Sequence, residues 1–278
     1  MIDEVRRVAA IKDHRVRVKA SVELMEELQA AVIETSRMRK ESIAWLRQSG
    51  LSMAEVAKLM GVSRARVAQL KDAGPPAERA FLGVDRVSVA VPQRPGEREY
   101  VAVEDSATGQ QLINLAHRLQ LEGELEYIPT TGAIELNRDG LVVVCGPKTS
   151  PVTAAALAAD PRLSFETLED GRWALIDRES GQVITSPTDD PEGPQLSDVA
   201  YFGRLPRPDR VGSFLLVAGV HAVGSLGVAH YLSTHIAGLY GEIGDQSFSM
   251  VIGCDYEAGT KRVLASRALT GVLRHEEA

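Results

Sequence analysis

FLLVAGVHAVGSLGVAHYL, residues 214–232, is the stretch from which the fold of the larger part of this chain can be read. An apolar run ends at Gly219, a short segment rich in glycine carries His221, and an amphipathic stretch begins. A strand, a glycine loop and a helix in that order set backbone N–H groups and a helix N-terminus beside the strand end, where anions bind readily. LVVVCGPKTSPVTAAAL, residues 141–157, has the same layout. There the strand is expected to end at Cys145, Gly146 and Pro147 to shape a turn, and Thr149 or Ser150 to cap a helix opening with Pro151. In the later copy Gly224, Ser225 and Gly227 open the helix, with Ser225 reading as its cap.

Outward from these junctions, short apolar runs alternate with helical patterns: VSVAV, DSATGQQLINLAHRLQL, LVVVCG, SPVTAAALAA, VAYFGRL, SFLLVAG and SFSMVIGCDY. That alternation predicts an α/β layer structure with a largely parallel sheet, a helix over residues 225–242 and a hairpin in RWALIDRESGQVIT around Ser180 and Gly181. TSPTDDPEGPQLSD, residues 185–198, is a polar loop whose Asp189, Asp190 and Glu192 read as solvated turn residues. The first 72 residues differ. They hold no strand pattern, and apolar residues recur at helical spacing: Val22, Met25, Leu28 and Val32, then Ile43, Leu46, Val56, Leu59 and Met60. Gly74, Pro75 and Pro76 end the last helix. The expected organisation is a helical domain over 1–74, a linker over 75–82 and an α/β domain over 83–278.

Charge divides in the same way. Residues 1–72 carry 14 Lys and Arg against 10 Asp and Glu, a balance of +4, so the remainder holds −11 of the net −7. Such asymmetry is a feature of nucleic-acid-binding modules joined to another domain. No apolar run approaches the roughly 20 residues of a membrane span, and MIDEVRRVAAIKDHR lacks the apolar core of a secretory signal, so a cytoplasmic location without membrane contact is expected. The two cysteines, Cys145 and Cys254, each end an apolar run and read as buried free thiols.

The sharpest motif is LSMAEVAKLMGVSRARVAQLK, residues 51–71. Ser52 with Glu55 fits a capping box, Gly61 sits where a first helix must turn, and Ser63 can cap a second. Ala57 is small where the helices would cross. Val56, Met60, Val62, Val67 and Leu70 are expected to form the shared core. This spacing resembles the helix-turn-helix of bacterial regulators and of the DNA-reading end of sigma factors. The resemblance implies that the second helix turns Ser63, Arg64, Ala65, Arg66, Ala68 and Gln69 toward a major groove, where Arg pairs with guanine and Gln with adenine. Arg64, Arg66 and Gln69 are then the base-contact residues, while Ser52, Lys71 and Arg47 contact phosphates. The alternative is a helical hairpin whose basic face meets protein. A domain this small binds DNA weakly alone, so a homodimer is expected, with SVELMEELQAAVIE, residues 21–34, as a partner surface or an internal packing face.

In the α/β part, two glycine loops at the carboxyl ends of neighbouring strands would form a cleft. Its expected ligand-binding residues are Gly146, Lys148, Thr149, Ser150, Gly219, His221, Gly224, Ser225 and Gly227. A nucleotide or nucleotide-derived effector suits those donors, though tight packing turns would use the same glycines. GPKTSP lacks P-loop spacing, and GVHAVGSLG puts His221 where the dinucleotide fingerprint has its second glycine. The domain resembles the Rossmann-like nucleotide-sensing modules of bacterial signalling and defence proteins, which implies a sensor role. YFGRLPRPDR adds Arg204, Arg207 and Arg210, of which Arg204 is placed with the ligand site.

Catalytic signals are thin. His221, Ser225 and Asp255 can be written as a triad, but no G-x-S-x-G elbow accompanies them. His230 and His235 lack the H-E-x-x-H arrangement for zinc, and no metal or cofactor site is expected. The sequence therefore reads as a DNA-binding transcriptional regulator that senses a small ligand. A nucleotide hydrolase or glycosidase carrying a DNA-binding module is the alternative.

Overall fold

The computed structural model describes residues 2–190 and 196–276 and divides into two compact units, Met1–Ala77 and Glu78–Ala278. Glu192 of the polar loop lies outside the described residues.

The first unit consists of α1 (Ile2–Ala9), α2 (His14–Gln48), α3 (Met53–Met60) and α4 (Arg64–Asp72). Asp13 starts α2 by accepting from the Arg15 amide at 2.8 Å. The helix then runs 35 residues, about 50 Å at a rise of about 1.5 Å per residue. Its carboxy-terminal part packs on α3 and α4 through Ile43, Val56, Ala57, Val67 and Leu70, with Leu46, Leu51, Met53 and Met60 partly buried around them. Val62, expected in that core, is 37% exposed, and the buried cluster includes Ile43 of α2 instead.

The second unit is built on a mixed sheet. Its strands are β1 (Arg86–Arg94), β2 (Tyr100–Val101), β3 (Glu122–Ile128), β4 (Leu141–Val144), β8 (Ser197–Pro206), β9 (Ser213–Gly219), β10 (Phe248–Tyr256), β11 (Val263–Ala268) and β12 (Leu273–Arg274). The main order is β3-β1-β4-β9-β8-β10-β11, with β2 and β12 adding short antiparallel pairings to β1 and β10. β5 (Leu163–Thr167), β6 (Trp173–Asp177) and β7 (Val183–Thr185) make a separate antiparallel sheet that contains the expected hairpin.

Period-two alternation sorts the large sheet into two faces. Val87, Val89, Val142, Val144, Phe202, Val217 and Met250 join α5 (Val103–Arg118) and α7 (Ala222–Ile243) in one core. Ala90, Val143, Tyr201, Leu216 and Val251 face the other way, toward α6 (Pro151–Ala158) and the small sheet. Strands covered on both sides are buried almost throughout, which explains the continuous apolar runs in the sequence.

The expectation of a largely parallel sheet holds only for β3, β1, β4 and β9. β8 is antiparallel to β9 and β10. The connection between Pro206 and Ser213 is too short for a crossover, so β8 and β9 have to pair as neighbours running in opposite directions. Residues 77–81, expected within a linker, form a 3₁₀ turn whose Phe81 is buried against Phe202 and Phe248.

Candidate functional site

Two places concentrate the residues singled out by sequence. The first is the α3–α4 pair. The Ser52 hydroxyl accepts from the Glu55 amide at 3.3 Å, and the Glu55 carboxylate accepts from the Ser52 amide at 2.7 Å, closing the capping box. Hydrogen bonds from the Ser52 hydroxyl and amide also hold the Glu55 carboxyl below its ordinary range. Gly61 takes φ 65°, ψ 28°, a left-handed cap that suits glycine, and Ser63 accepts from the Arg66 amide at 3.1 Å to start α4.

On α4 the inward residues are Val67 and Leu70, so Arg64, Ala65, Arg66, Ala68, Gln69 and Lys71 stand exposed with Ser63. Arg66 Nη1 donates to Gln69 Oε1 at 3.2 Å, which aligns two of the expected base-reading groups on one face. The Ser52 hydroxyl is taken up by the cap, where it donates to Glu55 at 2.6 Å, and Arg47 donates to the Leu51 carbonyl. Arg64 and Lys71 are the exposed cations beside that face.

The second place is the carboxyl edge of β1, β4 and β9. β4 and β9 are adjacent, with Val144 opposite Val217, so the loops after them meet. Lys148 Nζ donates to the Val220 carbonyl at 2.8 Å and lies 5.1 Å from the Trp173 ring centre. Within the loop after β4, Thr149 N donates to the Gly146 carbonyl at 3.2 Å. The buried Ser150 hydroxyl accepts from Thr153 N at 3.2 Å and donates to the Gly132 carbonyl at 2.5 Å.

The loop after β9 is organised by a residue that the sequence reading missed. Asp198, whose side chain is fully buried, accepts from His221 N at 3.1 Å and Gly224 N at 2.8 Å through Oδ2, and meets His221 Nδ1 at 3.2 Å through Oδ1. The backbone donors expected to cradle an anion are thus filled by a carboxylate of the protein itself. Nor is Ser225 the cap. α7 begins at Ala222, and Ser225 lies inside it, accepting from Gly219 N at 3.0 Å. Gly224 and Gly227 serve close packing: a Cβ at Gly224 would stand 2.5 Å from the Val199 carbonyl, and one at Gly227 would stand 2.5 Å from Cys254 Cβ.

The far ring nitrogen of His221, Nε2, lies 3.1 Å from Asp189 Oδ1. Asp189, read from sequence as a solvated turn residue, is therefore part of the site. Held by the Asp198 hydrogen bond against the opposing effect of burial, and further by the charges of Asp198 and Asp189, the imidazole keeps its proton above the ordinary histidine range. Burial lowers the Lys148 ammonium, while Asp189 and Asp198 pull it back up. Arg94, at the end of β1, pairs with the buried Asp105 at 2.9 Å. Burial raises the Asp105 carboxyl in spite of that pairing.

Arg204 does not belong here. It lies six residues from Asp198 along β8, about 20 Å at about 3.3 Å per residue. Its guanidinium donates to the carbonyls of Gly244 at 2.8 Å and Phe81 at 2.7 Å and covers the Phe81 ring. Burial lowers its pKa to about 10. Arg207 is tied to Asp139. The written triad does not assemble either, since Asp255 is held by Ser197 at 2.6 Å and Arg267 at 2.9 Å. His230 bonds Ser266, and His235 stacks on Tyr231. Both cysteines are buried thiols pushed up to about 12 by burial.

Among the described residues no group of three or more His, Cys, Asp or Glu is placed to hold a metal ion, and no helix is long and apolar enough to cross a membrane. No protein-family model, curated protein or solved structure matches the chain.

Proposed function

We propose that this chain is a DNA-binding regulator in which α4 reads the major groove and a Rossmann-like half of the second unit binds a small anionic effector. The observation that carries the first half is the capped α3–α4 turn, with Arg64, Arg66 and Gln69 exposed on one helix that its own core orients through Val67 and Leu70. Side chains of those types on an exposed, anchored helix suit guanine and adenine edges. The effector reading rests on the order β3-β1-β4-β9, whose chain path reverses between β1 and β4, the position at which open α/β sheets bind ligands. Lys148, His221 and Arg94 stand at that edge in place of the loop amides, each beside a carboxylate of the protein: His221 between Asp198 and Asp189, Arg94 on Asp105, and Lys148 within the field of Asp189 and Asp198. A nucleotide-derived effector would sit on Lys148, which lies against the Trp173 ring, with Arg94 and His221 exchanging carboxylate partners for it.

The test is selection of bound duplexes from a random pool with the full chain, followed by binding measurements on Arg64→Ala/Arg66→Ala. A loss of tenfold or more in affinity is expected, on the order of 1–3 kcal/mol for each base-reading arginine. Unchanged affinity overturns the α4 assignment. A nucleotide panel in a thermal-shift assay tests the second half: a ligand at a hundredfold excess over its Kd adds about 2.7 kcal/mol, and Lys148→Ala should abolish the shift.

A second reading is favoured by the Asp198–His221–Asp189 line. A buried carboxylate that orients a half-exposed imidazole is an arrangement used for proton transfer. Consumption of the nucleotide that shifts the melting temperature, abolished in His221→Ala, would make the second unit a hydrolase.

A further inference from the structure

The exposed side of α2 carries a period that its own unit does not use. Val18, Val22, Met25 and Val32 are 61%, 53%, 57% and 66% exposed. At about 100° per residue they fall, with Gln29, inside a stripe about 80° wide. Arg17, Ala20 and Leu24, which are half-buried, lie on the opposite side of the helix. α3 and α4 join the core formed by Ile43 and Leu46, beyond the end of the stripe. The steps from 18 to 22, 25, 29 and 32 alternate four and three residues, the seam of a two-stranded coiled coil. Met25, Leu28, Gln29, Val32 and Ile33 line a shallow apolar groove. Its first four members have the spacing of a hole that receives one side chain from a facing helix.

We infer that the occupant is α2 of a second copy of this chain, running antiparallel and crossing near residues 23 and 24. Charge along the helix selects both the partner and its direction. Arg15 and Lys19 flank the stripe first, and Glu26 follows on the same side. A parallel copy sets Arg15, which continues the stripe, against its own counterpart, while an antiparallel copy brings Lys19 and Glu26, which both flank the stripe, beside one another. In the antiparallel register Lys19 faces Glu26 of the second copy, Val22 packs on its Met25, and Val18 enters the groove beside its Gln29. The parallel register would fill that apolar groove with Gln29, at a cost in stability. The two Ile43 positions then lie about 60 Å apart. Where α4 reads DNA, this places the half-sites about 17 base pairs apart at about 3.4 Å each. That spacing rests on the proposed DNA reading; the dimer rests on α2 alone.

The experiment is sedimentation velocity of the full chain over a wide dilution series, with Met25→Glu and, as control, Met38→Glu, an exposed residue on the opposite side of the helix. The expected result is a dimer that dissociates on dilution, monomer throughout for Met25→Glu, unchanged circular dichroism in both variants, and a dimer retained in Met38→Glu. Wild-type protein that is monomeric at every concentration, or a Met25→Glu dimer, overturns the surface. Direction is read from the nitroxide-to-nitroxide distance in labelled Gln48→Cys protein, in which the native cysteines are buried. About 70 Å is expected from the antiparallel register, and a distance of roughly 20 Å would establish the parallel one instead. Neither measurement involves DNA, so loss of the dimer and loss of DNA binding are separable results.

Discussion

The loop after β4 and the loop after β9 share a layout in sequence and reach the same edge of the same sheet, yet their helices begin by different means. α6 is capped by Ser150, three residues before the amide that it accepts from. α7 has no such local cap; its amino-terminal amides are satisfied by Asp198, which precedes Gly224 by 26 residues. A cap of the first kind is a property of a short segment. The second exists only after β8 has been laid beside β9. It converts a helix N-terminus, where an anion would bind, into the second partner of a buried carboxylate. The cationic groups at the edge are therefore side chains, Lys148 and a His221 held between Asp198 and Asp189, and not the backbone.

Removing each cap is the sharpest way to break this comparison. Asp198→Ala removes the acceptor of the part-buried His221 amide, leaves Gly224 N only its bond to the His221 carbonyl, and strips the imidazole of its buried partner, so a loss of about 3–5 kcal/mol is expected in urea unfolding. Ser150→Ala should cost about 1–2 kcal/mol, the usual range for a lost helix cap. Equal losses would mean that the two helices begin by equivalent means after all.

Between those two lies Gly227→Ala. The added methyl would meet Cys254 Cβ at 2.5 Å and Sγ at 2.6 Å, so α7 has to move off β10. A loss of about 1–3 kcal/mol is expected, with no gain from a better helix former. A neutral or stabilising result would show that the glycines of this loop are there for something other than packing.

What could be read in the sequence follows the same division between local and distant causes. The capping box at Ser52, the left-handed Gly61 and the Ser63 cap each depend on residues within a turn of one another, and all are present. The strand and helix pattern from Val87 onward was legible because strands buried on both faces write continuous apolar runs. The direction of β8 was not, although the few residues of LPRPDRVG already forbid a crossover. Asp198 and Asp189 were invisible as site residues because each looks like a turn residue until β8 and β9 are paired. Arg204 misled for the converse reason: an arginine beside a proline-rich loop resembles a phosphate clamp, whereas the strand buries it against Phe81. Val62 lies outside the buried cluster, to which α2, a helix distant in sequence, contributes Ile43.

The smallest expected effect is the pH dependence carried by His221. Its folded pKa is raised above the ordinary histidine value of about 6.5, first by the hydrogen bond to Asp198 and further by the charges of Asp198 and Asp189. A proton held more tightly in the folded state stabilises fully below the unfolded pKa, and the contribution is lost as pH rises through the folded value. Stability should therefore decline from about pH 6.5 upward, and only gently, since the side chain is 41% exposed and water screens the pair. Asp189→Asn removes one of the two carboxylates without touching the amides at the start of α7. It should lower the His221 titration midpoint in a proton NMR experiment and flatten the decline, while Asp198→Asn should lower the midpoint further. A midpoint insensitive to Asp189→Asn would detach that residue from the site and leave Asp198 alone as the group that ties the imidazole to the sheet.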